Sequence, residues 1–340
     1  MKQTYKAVQA TMPGVLELVE RQLALPGPGQ VRIRIEACGI CHTDSLTVEG
    51  EFPGIIYPRV PGHEVVGKID ALGAGVGSWS IGQRVGVGFL AGSCGQCKSC
   101  RRGEFMTCTD QPLSGITFDG GYAEVMIAQA NGLALIPDDL LPAEAAPLLC
   151  AGLTTFNGLR NSIARAGDLV AIQGVGGLGH LGIQFARFMG FRVVAIARGT
   201  AKEALARELG AHHYIDSVAN DPAAELQALG GAKVILTTAS DTASIGPLVG
   251  GLTAHGQVVV AGAGGAEPVS IDVLQLLFGM RSITGTMTGS PIDAEDTLDF
   301  SVLQNIRAMI EEVPLEHANE AYARMMRNEA RFRMVLVTGQ

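Results

Sequence analysis

At 340 residues, with 47% apolar and 17% charged side chains, the chain has material for two domains with separate cores. Its formal charge of −8 argues against non-specific binding to nucleic acid or an anionic membrane, since either needs a basic face. Met1 to Ala10 holds no apolar stretch of signal-peptide length, and no apolar run is long enough for a bilayer, so the expected location is the cytoplasm and the expected partner a small molecule.

From Lys6 to about Cys150 the chain reads as short strands and turns. Val31, Ile33 and Ile35 alternate with Arg32, Arg34 and Glu36, the period of a half-buried strand. Gly/Pro clusters at 26–29, 53–54 and 61–62 punctuate this half into hairpins and loops. After Gly152 strand and helix alternate. Six strands are expected at Leu169–Gln173, Arg192–Ala197, His213–Asp216, Lys233–Thr237, Gln257–Ala261 and Ser282–Thr286. Helices are expected at Leu178–Met189, Ala201–Leu209 and Ala223–Leu229. That alternation predicts a doubly wound parallel sheet, the Rossmann arrangement. A helix over Ala294–Ile310 and a strand over Phe332–Val337 follow. This tail is expected to rejoin the β-rich half, giving one domain from 1–150 and 287–340 and another from 151–286.

Six of the seven cysteines fall into two zinc-ligand sets. Cys94, Cys97, Cys100 and Cys108 follow the spacing C-x2-C-x2-C-x7-C. Four thiolates close a tetrahedral shell, so this set predicts a structural zinc. Cys41, His63 and Cys150 offer two thiolates and one imidazole, leaving a fourth position open for chemistry. The expectation is two zinc ions per chain. Cysteines in a reducing cytosol serve more often as ligands than as disulfides. Cys38, the seventh, reads as a small buried residue.

The strand ending at Gln173 runs into Gly174-Val175-Gly176-Gly177-Leu178-Gly179 and then a helical pattern. In that position the glycines suit a dinucleotide: Gly174 for the turn, Gly176 for approach to a pyrophosphate, Gly179 for helix–sheet packing. The pyrophosphate would lie at the helix N-terminus beside Gly177 and Leu178. The next strand ends at Ala197-Arg198, where an acid would accept hydrogen bonds from the ribose of NAD. No acid is there; Arg198, helped by Lys202, suits a 2′-phosphate, so NADP is expected over NAD.

Taken together, Cys38-Gly39-Ile40-Cys41-His42-Thr43-Asp44, Gly62-His63-Glu64, the four-cysteine lobe, Cys150-Ala151-Gly152-Leu153-Thr154-Thr155 and the glycine loop resemble the zinc-dependent medium-chain alcohol dehydrogenases over essentially the whole chain. The resemblance implies a GroES-like catalytic domain, a Rossmann domain and an active site in the cleft between them. It implies that Asp44 orients His63, that Glu64 lies behind the metal, and that Thr43 takes the substrate proton. His42 and Arg333 are implied to contact the cofactor pyrophosphate, and Thr154 to lie near the nicotinamide. Many members carry a histidine five residues after the first zinc cysteine as a proton relay; here that residue is Leu46. Phe52 and Phe89 stand where ethanol-specialised relatives narrow the pocket with tryptophan, which implies room for medium-chain and aromatic alcohols or aldehydes. A homo-oligomer is expected by the same resemblance, a tetramer ahead of a dimer.

The competing expectations are an ethanol-type NAD-dependent enzyme and a nucleotide-binding sensor without turnover. Polyol dehydrogenases on this scaffold tend to replace Cys150 with an acid. Zinc-free quinone reductases lack both cysteine sets.

Overall fold

A computed structural model describes residues 3–262 and 267–339; Met1, Lys2 and Gln340, which the expected domains include, lie outside them. The chain divides into two compact units, 1–153 with 288–340 and 154–287. The boundaries expected from sequence were 150/151 and 286/287.

In the first unit β1 (Thr4–Met12) and β2 (Val15–Gln22) form a two-stranded antiparallel ribbon. β3 (Gln30–Gly39), β4 (Glu64–Leu72), β5 (Arg84–Val87), β6 (Val125–Gln129) and β7 (Leu133–Leu135) belong to a larger sheet. The alternation in β3 sorts as its periodicity requires. Val31, Ile33 and Ile35 enter the core, while Arg32 and Arg34 pair with Asp70 and Glu36 pairs with Arg84. Successive strand side chains point to opposite faces, so the apolar set builds the core and the charged set its partly exposed cover.

The second unit contributes β8 (Leu169–Gln173), β9 (Arg192–Ala197), β10 (His213–Asp216), β11 (Ala232–Thr237), β12 (Leu252–Val260) and β13 (Ser282–Gly285). They pair in the order β10-β9-β8-β11-β12-β13, every pair parallel. This is a doubly wound Rossmann sheet, whose order reverses between β8 and β11. All five residues of β8 are buried, as a central strand covered on both faces must be. The helix Gly179–Phe188 connects β8 to β9, and Glu203–Glu208 connects β9 to β10.

The chain then returns to the first unit through the helix Pro291–Leu303, β14 (Ile310–Pro314) and β15 (Arg333–Val337). β15 pairs antiparallel with β3, completing the order β14-β15-β3-β4-β5-β7 with β6 on β3. The helix expected over Ala294–Ile310 is shorter at its C-terminal end. It stops at Leu303 because Asn305 turns left-handed at φ +53°. Ile306 N–H then reaches Ser301 C=O and Asn305 N–H reaches Val302 C=O, a paired closure of the last turn. Ile310, read as helical, opens a strand instead.

Candidate active site

Strand register brings the first metal set together. β3 and β4 pair with Gly39 opposite Glu64. Cys41 therefore lies just past the end of one strand and His63 just before the start of the other. Gly39 has no alternative at that crossing, because a Cβ there would occupy the space of the Glu64 carboxylate. Gly62 adopts φ +101°, and a Cβ on it would meet the Tyr122 ring at 2.6 Å and Cys38 Sγ at 2.9 Å. Cys38 is buried, its thiol on the Gly39 carbonyl and outside both cysteine clusters, as expected of a small packing residue. Cys150 arrives at the end of the helical turn Ala146–Leu149. The ligand atoms of Cys41, His63, Glu64 and Cys150 all lie within 4.8 Å of one another.

The donor chemistry of this cluster fits a divalent cation. His63 donates from Nδ1 to Asp44 Oδ1 across 2.9 Å, which leaves Nε2 as the lone-pair nitrogen. That Nε2 is shut off from solvent and has no hydrogen-bond partner among the described residues, a costly state for a buried polar atom unless a ligand satisfies it. Cys41 and Cys150 sulfurs stand 3.9 Å apart. The Cys150 thiol stabilises the Cys41 thiolate, against the effect of burial, so Cys41 falls well below the ordinary thiol range and Cys150 rises well above it. Burial disfavours a charged His63 ring, but the Asp44 carboxylate and then the Cys41 thiolate outweigh it and raise the ring's pKa. Burial likewise lifts Glu64 to about 7, against the pull of Arg333.

Asp44 is the hub behind the ligands. Its Oδ2 accepts the Cys41 N–H at 2.9 Å and the Tyr122 hydroxyl at 2.8 Å while Oδ1 holds His63. Partners of this kind fix a ligand's tautomer and orientation. Tyr122 escaped the sequence reading. Its only signal is the pair Gly120-Gly121 before it, each packed too tightly for a Cβ.

Arg333 is buried on the last strand, and its guanidinium pairs with Glu64. Thr43 and exposed His42 lie on the turn after Cys41. Phe89 stands edge-on to the His63 ring, centroids 5.3 Å apart. The Phe52 N–H donates to the Leu46 carbonyl at 3.1 Å, which ties the Phe52 loop back to the segment carrying the missing relay position.

Cys94, Cys97, Cys100 and Cys108 form the second cluster, again with all sulfurs within 4.8 Å. The Cys94 N–H points at Cys108 Sγ and the Cys100 N–H at Cys97 Sγ, both at 3.4 Å. The Cys100 amide is the main reason that Cys97 falls to about 6. Backbone N–H bonds favour the ionised form of Cys97 and Cys108, while burial and the Cys97 thiol push Cys100 up to about 11; four clustered sulfurs are the donor set of a four-thiolate metal shell.

In the second unit the glycine loop follows β8 as its sequence predicts. Gly174 is left-handed at φ +92°, and Gly179 packs so closely on the Gly174 carbonyl that no Cβ would fit. Gly176 instead faces open space. The N–H groups of Gly176, Gly177 and Leu178 donate to nothing among the described residues. An open cradle of unpaired amides at the start of the helix Gly179–Phe188 fits an anion such as a pyrophosphate. Lys202 donates to the Val175 carbonyl of this loop at 2.7 Å. Ala197 ends β9, Arg198 after it is exposed, and Thr154 is buried in the helix Ala151–Arg160.

Comparisons with known proteins bear on both units. Residues 27–138 match the family described as alcohol dehydrogenase GroES-like domain, and residues 177–302 the zinc-binding dehydrogenase family. The alcohol dehydrogenase notN of Aspergillus sp. is 43% identical over 337 residues, covering 99% of this chain and 98% of that one. A cinnamyl alcohol dehydrogenase of Sorghum bicolor superposes with a TM-score of 0.88 at 33% identity, covering 98% of this chain and 97% of the other. A Helicobacter pylori CAD complexed with NADP(H) gives a TM-score of 0.87 at 27% identity, covering 99% of each.

Proposed function

The chain belongs to the zinc-dependent medium-chain alcohol dehydrogenases and is an NAD(P)-dependent alcohol oxidoreductase; from that premise we propose that it interconverts aromatic and medium-chain primary alcohols with their aldehydes, prefers NADPH, and holds one zinc at each cysteine cluster. The observation that carries the reading is the buried His63 Nε2, without a partner among the described residues, in one cluster with the Cys41 and Cys150 sulfurs.

Cys41, His63 and Cys150 would hold the reactive metal, and the four-cysteine lobe the other. Bound zinc supplies Lewis-acid polarisation of a substrate oxygen, and the nicotinamide supplies or accepts the hydride. The protein's own part is positional. Asp44 keeps the proton on His63 Nδ1, so that Nε2 remains a ligand. Tyr122 and the Cys41 amide keep Asp44 in place. Arg333 balances the charge of Glu64, whose second carboxylate oxygen is buried without a partner among the described residues. Thr43 exchanges a proton with the substrate hydroxyl through its own hydroxyl. Leu46, which has no group that can carry a proton, cannot pass that proton on.

Phe89 against His63 supports an apolar, aromatic wall beside the reacting centre, with Phe52 as a second candidate. Arg198, exposed beyond the end of β9, whose own last residues carry no acid, supports the 2′-phosphate preference. His42 and Arg333 remain the proposed contacts to the pyrophosphate and Thr154 to the nicotinamide, Arg333 also pairing with Glu64. A reducing cytoplasm suits two clusters of unoxidised thiols. A tetramer is the proposed assembly. The edge strand β13 and the helix Val273–Gly279 support it, since Leu274, Leu277 and Phe278 there are exposed.

The test is kcat/KM for cinnamaldehyde, benzaldehyde and acetaldehyde, each with NADPH and NADH. Aromatic aldehydes and NADPH are expected to lead. Acetaldehyde with NADH leading would leave the zinc chemistry standing and make this an ethanol-type enzyme.

A further inference from the structure

The last strand before the reversal of the sheet edge ends in two side chains that hold one peptide. β10 runs parallel to β9 with Asp216 level with Ala197 and Tyr214 level with Ala195. Beyond β9, the Gly199 N–H donates to Asp216 Oδ1 at 2.7 Å, and the Tyr214 hydroxyl donates to the Gly199 carbonyl at 2.6 Å. Both polar groups of that glycine are therefore taken by β10. The Val218 N–H shares the same Asp216 oxygen at 2.9 Å. It is the chief cause, with the Gly199 and Ala219 amides, of a carboxyl pKa held below the ordinary range despite partial burial.

Gly199 needs this holding. It lies left-handed at φ +68° with open space where a Cβ would be, so nothing packs against it. A glycine samples backbone space widely unless its polar groups are fixed. Lys202 fastens the far end of the same turn to the Val175 carbonyl in the glycine loop. Arg198 sits between the end of β9, where Ala197 is level with Asp216, and the held Gly199; it is exposed and makes no side-chain hydrogen bond or ion pair among the described residues. The backbone is thus held by strand register before a guanidinium that has no partner among the described residues, and by the Gly199 and Lys202 hydrogen bonds after it.

We infer that Tyr214 and Asp216 are specificity-positioning residues: by fixing the Gly199 peptide they aim Arg198 at the 2′-phosphate of the cofactor. The inference rests on the NADPH preference proposed above. It assigns discrimination between two nucleotides to a pair of side chains that need touch neither. Aim matters because a guanidinium grips a phosphate through two parallel N–H bonds, a geometry lost on small rotation. The charge on Asp216 has the opposite effect, since a carboxylate near a phosphate disfavours it. The two contributions of Asp216 thus differ in sign, which makes its replacement informative.

The experiment measures kcat/KM and, by fluorescence titration, Kd for NADPH and NADH in the zinc-loaded enzyme and in the variants Arg198→Ala, Tyr214→Phe, Asp216→Ala and Tyr214→Phe with Arg198→Ala. Tyr214→Phe removes one oxygen and no packing volume, so it keeps the test alive should Asp216→Ala fold poorly. The expected result is a fall of about tenfold in the NADPH-to-NADH ratio for Tyr214→Phe and Asp216→Ala, the scale of one lost orienting hydrogen bond. No further fall is expected when Tyr214→Phe is added to Arg198→Ala. An equal loss for both nucleotides would make the pair a plain strand-end cap and overturn the inference. A rise in the ratio for Asp216→Ala would show charge outweighing aim and overturn it likewise. If Arg198→Ala lowers the ratio while Tyr214→Phe and Asp216→Ala do not, this inference alone fails. If Arg198→Ala leaves the ratio unchanged, the NADPH reading fails and takes the inference with it.

Discussion

Replacing Asp44 by asparagine isolates a single proton. The side chain is buried, and its two oxygens receive three donors: His63 Nδ1, the Cys41 N–H and the Tyr122 hydroxyl. Alanine would strand all three at about 1–3 kcal/mol each, most of the ~5–15 kcal/mol that keeps a domain folded, so it reports on folding more than on function. Asparagine keeps the shape and one acceptor oxygen. That oxygen favours the side facing two donors, which turns the amide NH2 toward His63 Nδ1. The ring nitrogen must then accept, its proton moves to Nε2, and the lone pair facing Cys41 and Cys150 is gone. Loss of an orienting partner costs about 10–100-fold in metal affinity, and a reversed tautomer puts this variant at the upper end. After dialysis against a chelator, Asp44→Asn is expected to keep the zinc of the four-cysteine lobe, lose the other, lose turnover, and still bind NADPH. Tyr122→Phe is the control, since it removes one donor and leaves the tautomer alone; its turnover should fall far less. If Asp44→Asn retains both metals and turnover within threefold of the parent, the assignment of Asp44 as keeper of the His63 tautomer is wrong.

Cys94→Ala should release one zinc and lower the melting temperature before activity changes, because a structural metal contributes folding energy directly; an unaltered melting curve would argue against a metal in the lobe. Leu277→Glu with Phe278→Glu places two charges on the most exposed apolar stretch of the second unit. Light scattering should then report half the parent mass, and a parent that is already monomeric would refute the assembly proposed here.

Much of the site is legible in the sequence because its chemistry is carried by rare residue types at fixed spacing. Cysteines at 94, 97, 100 and 108 have few uses other than a metal shell, and Gly-x-Gly-x-x-Gly between a buried strand and a helix has few uses other than a phosphate cradle. The Rossmann strands are legible for a related reason: a strand buried on both faces, such as β8, must be a short unbroken apolar run. The helix end at Leu303 was misplaced because Ile306, Ala308 and Ile310 prolong an apolar pattern, while the stop resides in the backbone of a single asparagine at 305.

What sequence concealed shares a different character. Tyr122 reaches Asp44 across 78 positions, Arg333 reaches Glu64 across 269, and Tyr214 and Asp216 reach Gly199 only because β9 and β10 lie in one particular register. None of these residues belongs to a local motif, since each acts on a group that the fold, not the chain, brings near. Each also acts on an atom whose direction matters more than its presence: a carboxylate oxygen, a peptide, a guanidinium. Ligands and phosphate loops are therefore written in residue type and spacing, and aim is written in register. A sequence with every ligand in place and Tyr122 or Tyr214 changed would look intact by motif, yet it would be expected to lose orientation at the metal site or discrimination at the ribose.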